Sequence, residues 1–102
     1  MASVYKVLTQ QQFEEFKKRG SYPGTELDLR DGYIHLSSST QVNGVLERYY
    51  QDVRPLYVLQ FAEEHLGKGL VYETVRNDEK FPHLYNTDLE FTKIIDVKYI
   101  EE

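Results

Sequence analysis

Three short clusters in this 102-residue sequence hold polar side chains of the kinds that bind or transform small molecules. The first is His35 with Ser37, preceded by Arg30, Asp31 and Tyr33. In an extended chain successive side chains point to opposite faces, so Tyr33, His35 and Ser37 share one face while Ile34 and Leu36 share the other. One face reads as core and the other as chemistry: an imidazole and a hydroxyl side by side can hold one ligand, and an imidazole can carry a proton. The second cluster is Glu73 within Leu70-Val71-Tyr72-Glu73-Thr74-Val75. Strict alternation puts its carboxylate on the face of Val71 and Val75, which requires it to be half-buried, partnered or displaced by a bulge. The third is Phe81-Pro82-His83-Leu84-Tyr85, read as a rigid aromatic turn with a histidine at its centre.

Each cluster also has a plainer reading. His35 can be satisfied by a neighbouring backbone group, and Ser37 lacks the Gly-x-Ser-x-Gly surroundings of a nucleophile elbow. Glu73 can pair with Arg76 or Arg30 as a structural ion pair. His35, His65, His83, Glu73 and Asp31 supply metal-ligand types, but no two histidines stand at a local zinc spacing, so a metal site would have to be assembled from distant segments; metal-assisted hydrolysis is the weakest of the readings and no metal ligand is assigned. Gly67-Lys68-Gly69 matches neither the Walker nor the Rossmann phosphate loop. The absence of cysteine excludes thiolate nucleophiles, disulfides and cysteine-based zinc sites.

Composition narrows the partners. A formal net charge of -5 argues against nonspecific nucleic-acid binding, which relies on clustered Lys and Arg. A hydrophobic fraction of 40% and an aromatic fraction of 14% fit one folded domain over residues 1–102 with a single core. Nine tyrosines without tryptophan suit a cleft that is apolar in body and polar at its tips. Met1-Ala2-Ser3-Val4-Tyr5-Lys6 lacks the apolar core of a signal peptide, and no stretch is long enough to span a bilayer. A soluble, cytoplasmic protein without membrane contact is expected.

The elements that must position these clusters follow from periodicity and caps. Residues 4–8 read as a strand, and Thr9 with Gln12 as a capping box opening a helix that buries Phe13 and Phe16, carries Lys17, Lys18 and Arg19 in its last turn and ends at Gly20. A Pro23-Gly24 turn and a charged turn closed by Gly32 lead into a strand over 33–37. Ser38 with Gln41 then caps a second helix with an apolar stripe of Val42, Val45, Leu46 and Tyr49, in which Gly44 costs about 1 kcal/mol against alanine unless it marks close packing. After the break at Arg54-Pro55, residues 56–61 form the most apolar run and a central strand. A loop over 62–69 with one turn at Glu63-Glu64-His65, a strand over 70–75 and a last strand over 91–100 complete a β-α-β-α-β-β-β order, which is α+β rather than doubly wound.

Tyr5-Lys6-Val7-Leu8-Thr9, then Asp28 with Asp31-Gly32-Tyr33-Ile34-His35-Leu36-Ser37-Ser38 and Gln41-Val42, then Tyr72-Glu73 and finally Phe81-Pro82-His83-Leu84-Tyr85 resemble, in order and over nearly the whole chain, the domain-of-unknown-function 952 family. That family is grouped with ADP-ribosyltransferase-like folds, so the resemblance implies a compact mixed split sheet with two main helices and a cleft between its halves. It also implies a nucleotide-type cleft for NAD, ADP-ribose or a phosphorylated RNA end, with no cofactor required and NAD or ADP-ribose as substrate or ligand, and a glycosyl or ADP-ribosyl transferase or a degenerate relative. His35 resembles the histidine that holds the ribose of NAD, and Glu73 stands as its acidic catalytic partner. Tyr33, Ser37, His83 and Tyr85 would line the walls, with Arg30 or Arg76 neutralising phosphate. The alternative is a noncatalytic module whose tyrosine-lined cleft, with Tyr33 and Tyr85, recognises a protein or small molecule.

Overall fold

Capping boxes start the first two helices. In the computed structural model, which describes residues 2–101 apart from the side chain of Arg76, strand β1 (Ser3–Thr9) runs straight into helix α1 (Gln10–Arg19). Gln12 N donates to Thr9 Oγ1 at 3.3 Å, and Thr9 N donates to Gln12 Oε1 at 2.9 Å. Gly20, at φ 83°, ends the helix behind its three basic residues. After a two-residue strand β2 (Ser21–Tyr22), the same device recurs where a charged turn was expected. Helix α2 (Glu26–Asp31) has Thr25 as its N-cap, Asp28 as the returning side chain and Gly32 as its C-cap. The helix escaped the sequence reading because Asp, rather than Glu or Gln, closes the box, and six residues are too few to display an apolar stripe.

The strand expected over 33–37 is two strands. β3 (Ile34–His35) pairs with β7 (Glu79–Leu84), whereas β4 (Ser37–Ser38) pairs with β1, so the chain changes sheets at Leu36. The alternation holds through the crossing: Ile34 and Leu36 join the main core. Residues 81–84, expected as part of a turn, lie in β7, with Tyr85 just beyond its end. Pro82 stands at the end of the β3 ladder: Leu36 N, just past the last paired residue His35, donates to Pro82 O at 3.0 Å, and proline has no N–H to return.

Helix α3 (Val42–Tyr49) precedes the long strands β5 (Leu56–Ala62), β6 (Leu70–Arg76) and β9 (Ile94–Ile100), with short 3-10 turns at Glu63–His65, Gly67–Gly69 and Phe91–Lys93 and a two-residue strand β8 (Leu89–Glu90) paired with β2. The result is a four-stranded sheet in the order β4-β1-β5-β9 and a three-stranded sheet β3-β7-β6. Two expectations are corrected here. The helices number three among the described residues, and every described pairing is antiparallel, so the sheets are not mixed. β4 and β5 run parallel but flank β1 and never meet, while β6 and β7 join through Asn77 and Asp78, whose φ values of 50° and 61° are those of a two-residue hairpin turn.

β5 is buried on both faces, as its continuous apolar run requires. Leu59 and Phe61 enter the main core with Val4, Leu8, Phe16 and Leu84, while Leu56 and Val58 form a smaller cluster with Val7, covered by Val42, Val45 and Leu46 of α3. Tyr49, expected in that stripe, is 60% exposed. Among the described residues no helix is long and apolar enough to cross a membrane.

Gly44 has open space around it rather than close packing, whereas a Cβ on Gly69 would lie 2.3 Å from the Tyr85 carbonyl oxygen. Gly44→Ala is therefore expected to stabilise the protein by about 1 kcal/mol through helix propensity. Gly69→Ala should destabilise it by about 1–3 kcal/mol through backbone displacement. Urea unfolding midpoints of the two variants, moving in opposite directions, check both.

Candidate functional site

Asp28 is buried, and its two carboxylate oxygens take four donors from three elements. Oδ1 accepts from His35 N at 3.1 Å and from the His35 Nδ1–H at 2.6 Å; Oδ2 accepts from Lys6 Nζ at 2.7 Å and Thr25 N at 2.9 Å. Lys6 shares a strand face with Val4 and Leu8, both in the main core, and its ammonium also donates to the His35 carbonyl at 2.9 Å. Burial by itself would raise the Asp28 carboxyl, but the hydrogen bonds from His35, Lys6 and Thr25 and the Lys6 charge outweigh it and hold the group well below the usual carboxylate range. Burial pulls Lys6 below its ordinary value, with Asp28 opposing. One carboxylate thus caps α2, neutralises a core lysine and orients the ring of His35. The other ring nitrogen, Nε2, stands 3.2 Å from Asp31 Oδ2, so a proton on either nitrogen of His35 has a carboxylate acceptor.

A second imidazole is held in the same way. His83, opposite His35 in the β3 and β7 register, is buried, and its Nδ1–H donates to Glu73 Oε1 at 2.7 Å. Glu73 lies on the neighbouring strand β6 and is partnered, one of the three outcomes its alternation allowed; the Tyr85 hydroxyl also donates to Oε1, at 2.5 Å. Hydrogen bonds from Tyr85 and His83 lower the Glu73 carboxyl, and the same contact pushes the Tyr85 phenol up to about 12. In both pairs a carboxylate accepts from Nδ1; for His83 this sets the tautomer and leaves Nε2 for a ligand, whereas Nε2 of His35 faces Asp31. The rings of His35 and His83 meet edge to face with centroids 5.6 Å apart. Tyr33 lies across both, 4.1 Å from His83 and 4.6 Å from His35, and its phenol is raised by burial and by the surrounding carboxylates.

These groups face a cavity of about 520 Å³ at the gap between the two sheets, a volume typical of small-molecule sites. Lys6, Asp28, Asp31, His35, Ser37 and His83 supply its polar lining; Tyr5, Tyr33, Tyr49, Tyr50 and Phe81 supply aromatic walls; Arg48 of α3 also lines it. Among the described residues Arg48 has no carboxylate partner. No group of three or more histidine and carboxylate side chains among the described residues is arranged to hold a metal ion.

Of the residues singled out in the sequence, Tyr33, His35, Ser37 and His83 meet at this cavity. Glu73 and Tyr85 stand behind His83 instead of lining it. Arg30 has a side chain 74% exposed, pairs with Asp31 and does not line the cavity, and the side chain of Arg76 lies outside the described residues. His65 sits in an exposed 3-10 turn. The sequence reading missed Lys6, Asp28 and Arg48 as site residues. The signal for Lys6 was a charge at a core position of an apolar strand, and that for Asp28 was its place three residues after Thr25.

Lys6→Met leaves the Asp28 carboxylate buried without its cation and is expected to lower stability by about 3–5 kcal/mol, read by urea unfolding. The pH dependence follows from the lowered Asp28 value. Above the unfolded carboxyl value of about 3.9 both states are ionised and the full contribution is present; as pH falls through that value toward the lower folded one, the unfolded chain binds the proton first and the contribution is lost. Stability should therefore fall more steeply between about pH 4 and pH 2 in the parent protein than in Asp28→Asn.

The family model described as "Protein of unknown function (DUF952)" matches residues 7–97. Among solved structures, a crystal structure of protein CC0527 from Caulobacter crescentus superposes with a TM-score of 0.90 at 30% identity, over 95% of this chain and 84% of that one. A crystal structure of a double mutant of CC0527 gives 0.90 at 29% identity over the same shares, and its solution NMR structure gives 0.79 at 31% over 94% and 82%. None of the curated proteins matches. With the family model covering most of its length and a solved relative sharing its fold end to end, the chain belongs to the domain-of-unknown-function 952 family.

Proposed function

We propose that the cavity between the sheets is a nucleotide-type site for a ligand of the NAD, ADP-ribose or phosphorylated RNA-end class, and that the chain is a glycosyl or ADP-ribosyl transferase of the ADP-ribosyltransferase-like group. The observation that supports this reading is the pair of carboxylate-backed imidazoles, His35 on Asp28 and His83 on Glu73, side by side on one aromatic-walled cavity. Asp31 and the Nε2 edge of His35 suit a vicinal diol, which both donates and accepts hydrogen bonds. Arg48 in the same lining suits phosphate. The tyrosine walls suit a stacked base. In transfer, an acceptor hydroxyl bonds to the ribosyl carbon as the bond to the leaving base breaks; His83 takes the hydroxyl proton, and Glu73 steadies the imidazolium that forms.

A second reading, the noncatalytic cleft, draws support from the four tyrosines that line the cavity. It expects His35→Ala and Glu73→Ala to keep partner capture and Tyr33→Ala to abolish it.

Titration with NAD and ADP-ribose, followed by backbone amide shifts, is expected to move signals around His35, His83 and α3. Silence at these positions at millimolar ligand overturns the nucleotide reading. Arg48→Ala should weaken ADP-ribose binding about tenfold, in line with a charge-assisted contact, and leave adenosine binding unchanged.

A further inference from the structure

β9 ends the four-stranded sheet: β5 pairs along one side of it, and among the described residues no strand pairs along the other. Residues 95–99 are all exposed, which places both sheet faces at this edge in solvent. Ile95, Val97 and Tyr99 are 52%, 41% and 50% exposed, and Tyr99 lies against Tyr57 of β5 with ring centroids 5.0 Å apart. A long, straight, apolar strand edge is a template for another strand, and proteins that stay single blunt it with bulges, prolines or like charges. The register irregularity of β9 is confined to its start, beside Gln60 and Phe61, and residues 96–100 continue in a regular ladder without proline.

The charges on β9 have opposite signs, and their placement decides the occupant. Asp96 and Lys98 flank Val97 on the face opposite to it, and neither has an ion-pair partner among the described residues. If a second β9 pairs antiparallel about a two-fold axis through Val97, then Val97 of each copy meets Val97 of the other, and Asp96 of each copy stands opposite Lys98 of the other. Tyr99 lies on the face of Val97 and falls opposite Ile95, the residue at which the register with β5 shifts, so the regular contacts of the pair are those of residues 96–98. Such directly opposed side chains are the units that stabilise an antiparallel pair, and a two-fold interface must be self-complementary in this sense. The other long edge strand, β6, fails the same test, because a two-fold at its centre sets Glu73 against Glu73.

We propose that β9 is a homodimer interface, at which two copies of this chain join edge to edge about Val97 and merge their four-stranded sheets into one. The interface is remote from the cavity lining and stands independently of the function proposed for it.

Sedimentation of the full chain at about 100 μM is expected to give a dimer. Asp96→Lys and Lys98→Asp each bring like charges together across the axis and should weaken self-association about tenfold, while urea unfolding of the exposed variants confirms that they fold. The two single variants mixed one to one should form a heterodimer, since each lysine then faces an aspartate, and the double exchange Asp96→Lys with Lys98→Asp should restore the homodimer. A parent chain that stays monomeric at millimolar concentration overturns the proposal. So do single variants that dimerise as well as the parent, or a mixture that shows no association beyond that of its components.

Discussion

A carboxylate buried among apolar side chains is tolerable only when its oxygens are filled and its charge is matched, and Asp28 meets both conditions with groups from β1, α2 and β3. The rest of the structure follows from that requirement. Lys6 must point into the main core, which ties the larger sheet to α2. Thr25 must cap α2 so that its backbone N–H reaches Asp28, and β3 must lie close enough for the His35 backbone and ring to donate. The two sheets are therefore joined at their split by hydrogen bonds to one charged group, and not by apolar packing alone. Removing a single partner strands a charge in the interior, which is why such a cluster resists piecemeal change.

The same cluster produces the site. Where β3 gives way to β4 the chain leaves one sheet for the other, and the cavity opens at that gap. His35 arrives there with its Nδ1 already committed to Asp28, and the strand register sets His83 opposite it with Nδ1 committed to Glu73. Two imidazoles oriented by carboxylates at one cavity form a preorganised polar centre, and Tyr33 across both rings supplies an apolar cover. Nothing in this arrangement draws on β9, the far edge of the larger sheet, so ligand binding and association of copies can vary separately.

Much of this architecture is legible in order along the chain. Thr9 with Gln12 marks the start of α1, the apolar run of β5 marks a strand covered on both faces, and alternation through residues 33–37 separates Ile34 and Leu36 from His35 and Ser37 even though the strand proves to be two. Local chemistry misleads where a residue's role depends on a distant partner. Pro82 argued for a turn, yet it lies within β7, at the point where the β3 ladder ends. Gly44 left close packing open as a reason for its place, yet the space around it is open, while Gly69, read in sequence only as part of a loop, lies against the backbone at Tyr85.

What the sequence determined by itself is whatever depends on neighbours within a few residues: caps, alternation, turn chemistry, and the residue types able to do chemistry. Only the tertiary structure decided that Lys6 and Asp28, 22 positions apart, neutralise each other, that His35 and His83 share a cavity while Arg30 faces solvent, and that Arg48 comes to the cavity from α3. The physical reason is that charge matching and desolvation act through space. A lysine in an apolar strand is a contradiction that no local pattern resolves, and it becomes a stable element only when the fold brings a carboxylate to it.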